Sequence, residues 1–126
     1  MPGPYPGVVA SVHSEKCIDA ESGKVDVATV KNMIARGMTA LTGDKTAAES
    51  WRRFFTASDV VGIKVNCSGA PGTMSTREVV AEICANLVAT GVPPAQIYIY
   101  ERFANQLKVA AYEPHVPAGV RAHAVD

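Results

Sequence analysis

The sequence predicts an α/β fold with an open, mostly parallel sheet and flanking helices. Three observations lead there. Residues 60–66 (VVGIKVN) form a β-branched run, residues 97–100 (IYIY) form a second, and a capped amphipathic stretch lies between them. Strand, helix, strand within about forty residues is a βαβ unit, whose two strands are parallel and whose crossover is right-handed in nearly every known case. A length of 126 residues, 48% hydrophobic and 19% charged, suits one globular domain with a core of its own.

Residues 1–7 (MPGPYPG) are rich in Pro and Gly and read as an irregular lead-in. Residues 8–13 (VVASVH) are short and β-branched and predict a first strand in the same sheet; residues 14–23 read as a polar loop. Asp26 stands as the N-cap of a helix reaching about Leu41, with Val27, Val30, Ile34, Met38 and Leu41 at helical spacing and Gly43 as the stop. Thr46 and Glu49 form a capping box that opens a short helix; Trp51, Phe54 and Phe55 are expected to anchor a core. After the 60–66 strand and a Gly/Pro loop, Ser75 and Glu78 predict a second capping box. Val79, Val80, Ile83, Cys84, Leu87 and Val88 then make an apolar stripe that Gly91 ends. Residues 105–112 suit a short helix and residues 120–125 a last strand. The expected arrangement is three-layered and Rossmann-like, one domain over 1–126 that is either whole or a fragment of a longer protein.

Composition excludes some functions. Twelve Lys and Arg balance twelve Asp and Glu with no basic cluster, so nucleic acid is not an expected partner. No apolar run approaches the roughly 20 residues of a membrane span. Cys17, Cys67 and Cys84, at spacings of 50 and 17, match neither a zinc pattern nor a disulfide framework. The N-terminus has no signal-peptide pattern, which fits a cytosolic chain or the mature form of one whose leader is absent.

Open parallel sheets bind ligands beyond the carboxyl ends of their strands, here at His13, Asn66, Glu101-Arg102 and Val125. Lys64 and Asn66 share a strand face with Gly62, which leaves room for a ligand or another backbone to approach. A lysine near the end of a central strand either aims with Asn66 at an anionic or carbonyl group, or snorkels to the rim or an edge strand. The loop after it, with Ser68, Gly69, Gly72, Thr73 and Ser75, runs into a helix start whose N–H groups favour an anion. It is neither a Walker loop nor a dinucleotide fingerprint. These residues and Glu101 form the expected ligand site, and no catalytic residue is assigned. His13, Cys67 and Glu101 would each lie at a strand end, but lack the local spacing of metal ligands, so no metal site is expected.

The stretch Asp59-Val60-Val61-Gly62-Ile63-Lys64-Val65-Asn66, the Gly/Pro loop, Ser75-Thr76-Arg77-Glu78-Val79-Val80 and the acidic strand end at Glu101 resemble the family known as domain of unknown function 362. The lead-in at residues 2–7 and the run 36–43 (RGMTALTG) resemble its exported bacterial branch, which implies a periplasmic location and a twin-arginine leader. The resemblance covers nearly this whole chain but only about the N-terminal third of a typical member. Val65 replaces a usual proline, and the ferredoxin-type cysteine clusters of some members are absent, so iron–sulfur binding is not implied. The family has no settled reaction. Residues and resemblance together lead to the expectation of a domain that binds a small anionic molecule, with or without a metal. The alternative is a non-catalytic assembly module joined to a second copy or a missing domain through an exposed sheet edge.

Overall fold

A computed structural model of the protein describes residues 3–125, and the chain divides after Phe54 into two compact units.

In the first unit, residues 8–13 take no regular secondary structure and do not form the expected strand, and Val9 is 88% exposed. A β-branched run becomes a strand only when a neighbour completes its hydrogen-bond ladder. Here the described backbone bond of the run is Val8 N–H to Tyr5 C=O, a local turn. A tight turn comes next, closed by a bridge between Ile18 and Val25, with the Asp19 carboxylate accepting from Ser22 N–H and Oγ–H. Helix α1 (Val27–Thr42) opens where Asp26 accepts from Thr29 N–H at 2.7 Å and ends at Gly43, whose φ of 77° only glycine adopts freely. Its apolar stripe is less buried than its spacing suggests: Val30 is buried, Ile34, Met38 and Leu41 are half-buried, and Val27 is exposed. A unit this small has little surface to cover a whole helix face. Helix α2 (Ala47–Arg52) carries the expected reciprocal box, Glu49 N–H to Thr46 Oγ1 and Thr46 N–H to Glu49 Oε2. Trp51 is buried beside Ser50, whereas Phe54 is half-buried against the Tyr5 ring at 5.8 Å between centroids.

The second unit holds an open sheet of three parallel strands, β1 (Val61–Lys64), β2 (Ile97–Glu101) and β3 (Arg121–Ala124), in the order β1-β2-β3. Helix α3 (Arg77–Thr90) links β1 to β2, and α4 (Ala104–Ala110) links β2 to β3. Val61 pairs with Ile97 and Lys64 with Tyr100; Tyr98 pairs with Arg121 and Glu101 with Ala124. Residue alternation gives β2 a buried face of Ile97, Ile99 and Glu101 and a half-buried face of Tyr98 and Tyr100. Val80, Cys84 and Leu87 of α3 complete the core with Val65, Cys67, Val92, Leu107, Ala110, Tyr112 and Val120. Gly91, at φ 110°, caps α3 through Leu87 and Val88 carbonyls. Burial drives the Cys84 thiol up to about 11, so this cysteine is core packing.

Among the described residues no helix is long and apolar enough to cross a membrane. Leu87 is 1% exposed, and Leu87→Ala is expected to cost about 2–5 kcal/mol in urea unfolding, the range for a cavity at a buried aliphatic position. An unchanged midpoint would show this face of α3 unburied.

Candidate functional site

The carboxyl end of the sheet is organised around Glu101. Its side chain is buried at the end of the central strand, where an ionised carboxylate requires partners. It has three: Arg102 N–H and Lys64 Nζ on Oε1 at 2.6 and 2.9 Å, and Cys67 N–H on Oε2 at 3.1 Å. The Arg102 N–H, then Lys64, then the Cys67 N–H hold the carboxyl below the ordinary glutamate range, against the upward pull of burial. A carboxyl lowered on folding adds stability above its unfolded pKa. That contribution is lost as pH falls through the lowered value.

Lys64 lies on an edge strand of this three-stranded sheet, not a central one, and strand order is what alternation alone does not specify. Its side chain is 52% exposed, yet it is not free. Nζ donates to Val65 C=O at 2.6 Å as well as to Glu101, curling over the strand end and leaving one proton for another acceptor. Asn66 is held by the loop that follows it. Its Oδ1 accepts from Ser68 N–H and Oγ–H, an Asx turn that starts the loop, while its amide nitrogen donates to none of the described residues. The space over Gly62 is occupied, since a Cβ there would sit 3.2 Å from Tyr100 Cε1.

Loop 67–75 returns to its own starting point. Asn66 N–H donates to Ser75 Oγ and Ser75 N–H to Asn66 C=O, both at 2.9 Å. Inside that clasp, Ala70 N–H bonds Cys67 C=O and Thr73 N–H bonds Gly69 C=O. Gly69 is required, because a Cβ would run into the Thr73 carbonyl oxygen; Gly72 is not, its Cβ meeting ordinary contact at 3.7 Å. The expected capping box at Ser75 and Glu78 does not form. Thr76, not Ser75, is the N-cap of α3 and makes no side-chain cap, and the Ser75 hydroxyl accepts from Asn66 N–H instead. The first turn of α3 therefore keeps backbone N–H groups that no side chain caps.

Tyr112, which the periodicity places in a helix, lies past the end of α4 and is buried. Its hydroxyl donates to Ser75 C=O at 2.6 Å and lies 3.9 Å from the Cys67 thiol. Burial and the neighbouring thiol push the phenol far up. Burial also raises the Cys67 thiol, which is 1% exposed and therefore a packing residue rather than an exposed nucleophile. Arg77 Nε donates to Ala110 C=O at 2.6 Å, a second tie between α3 and the end of α4. Nothing in local sequence marks Tyr112 or Arg77, whose partners lie 37 and 33 residues away.

His13, expected at a strand end, stands in the irregular segment of the first unit. Among the described residues no group of three or more His, Cys, Asp and Glu is placed to hold a metal ion. No protein-family model matches the chain, and no curated protein or solved structure matches it.

Gly69→Ala is expected to destabilise the protein by about 1–3 kcal/mol through that backbone collision, with Gly72→Ala nearly neutral. Thermal unfolding of the two variants checks this, and equal midpoints would show the loop does not hold this shape.

Proposed function

We propose that the second unit is a ligand-binding α/β domain whose site lies at the carboxyl end of its sheet and takes a small anionic molecule. The observation that carries this reading is Lys64, a half-exposed cation with one uncommitted proton, fixed at the strand end by buried Glu101. Asn66 adds an amide donor, and the uncapped first turn of α3 adds backbone N–H groups and a favourable dipole. The 68–75 loop, clasped between them, shapes the rim. Glu101 opposes an anion as well as positioning Lys64, which weakens anion binding there. The resemblance to the domain of unknown function 362 family supports the same location, since the lysine, the asparagine and the acidic strand end are the residues that carry it.

A second reading is an assembly module. It is favoured by the position of β1, an edge strand preceded by Val60 at 68% exposure. Under it, a second copy or a further domain adds to the free side of β1.

A thermal-shift titration with phosphate, sulfate and small carboxylates at matched ionic strength separates the two. The parent protein is expected to gain stability with at least one anion and Lys64→Met to gain less. Equal gains in parent and variant would remove the ligand site. A concentration-dependent dimer in sedimentation would then favour assembly.

A further inference from the structure

The first unit carries a second, differently charged cleft. It lies between residues 12–16 and one face of α1, and its polar lining comes from His13, Ser14 and Lys16 on one side and Thr29, Asn32 and Arg36 on the other. Positions 29, 32 and 36 fall on one helical stripe, so their side chains present a continuous polar row. The opposite wall is registered by Val12, which packs at Gly37 of α1, where a Cβ would stand 3.6 Å from Val12 Cγ2. That contact fixes His13 and Ser14 beside the row.

Three basic side chains line this cleft and no carboxylate does. Glu15, Asp19 and Asp26 line another cleft, which Lys16 also borders. Asp19 and Asp26 are already committed, to Ser22 and to the α1 N-cap. Among the described residues the ion pairs are Arg53–Asp44 and Lys64–Glu101, so Lys16 and Arg36 have no counter-ion there. A planar guanidinium, an ammonium, an imidazole and an amide lining one cleft match the several oxygens of a multiply charged oxyanion.

We propose that this cleft binds a small molecule bearing a phosphate or diphosphate group, with Arg36 and Lys16 as its charged anchors and His13 and Asn32 as its orienting donors. The site is independent of the sheet end: it shares no residue with Lys64, Asn66 or Glu101.

The test is an amide NMR titration of the full chain with inorganic pyrophosphate at constant ionic strength, with citrate as the comparison anion. Saturable shifts are expected at residues 13–16 and 32–36. In the folded Lys16→Gln/Arg36→Gln double variant they should need at least about tenfold more pyrophosphate, consistent with loss of two charge-assisted bonds. Lys31→Gln, outside the cleft on the same helix, and Lys64→Met, at the sheet end, are expected to titrate like the parent. The amide spectrum of each variant reports folding directly. Arg36→Lys is a second probe if the double variant unfolds: it keeps the charge but not the fork, and should weaken binding measurably. Absence of saturable shifts, shifts surviving the cleft substitutions, equal loss in Lys31→Gln, or citrate binding as tightly as pyrophosphate would each overturn the proposal.

Discussion

The buried carboxylate of Glu101 is the constraint on which the second unit's sheet end depends. An ionised group at the end of a central strand loses its hydration, and that cost is offset only when hydrogen-bond donors surround it. Arg102 N–H, Cys67 N–H and Lys64 are those donors. The partners come from different segments, so satisfying one carboxylate ties the end of β1 and the first residue of the adjoining loop to β2. The Asn66–Ser75 clasp then closes the loop, and Tyr112 holds Ser75 from the far side of α4. Removing the carboxylate would leave two backbone N–H groups short of a partner as well as an unpaired lysine.

The parts of this fold legible in sequence are those set by local chemistry. Asp26, Thr46, Gly43 and Gly91 all cap where residue type and spacing place them, because a cap is decided within four residues. The parallel β1-α3-β2 unit and Glu101 at a strand end come from periodicity and connection length. Residues 8–13 have the composition of a strand and lack a ladder partner, which no local pattern reveals. Ser75 has the spacing of a capping serine, but a backbone N–H nine residues earlier claims its hydroxyl. Lys64 is legible in sequence as an unusual residue. Its edge position and its bond to Glu101, 37 residues on, are not, because both depend on strand order.

The two units present cations in opposite electrostatic settings. Lys64 is largely neutralised by a buried partner, so its role is geometric: it offers one directed proton at low net charge. Lys16 and Arg36 have no ion-pair partner among the described residues and line a cleft without a carboxylate, where attraction for an anion is sensitive to salt.

The most direct test of this account is a carboxyl-carbon NMR titration of Glu101 in the parent protein and in Lys64→Met. The three donors predict a pKa below the ordinary glutamate range in the parent, and a higher value once the lysine is gone, with the two backbone N–H donors still holding part of the shift. A Glu101 that titrates in the ordinary range in the parent, unmoved by the loss of Lys64, would contradict the claim that this carboxylate organises the sheet end.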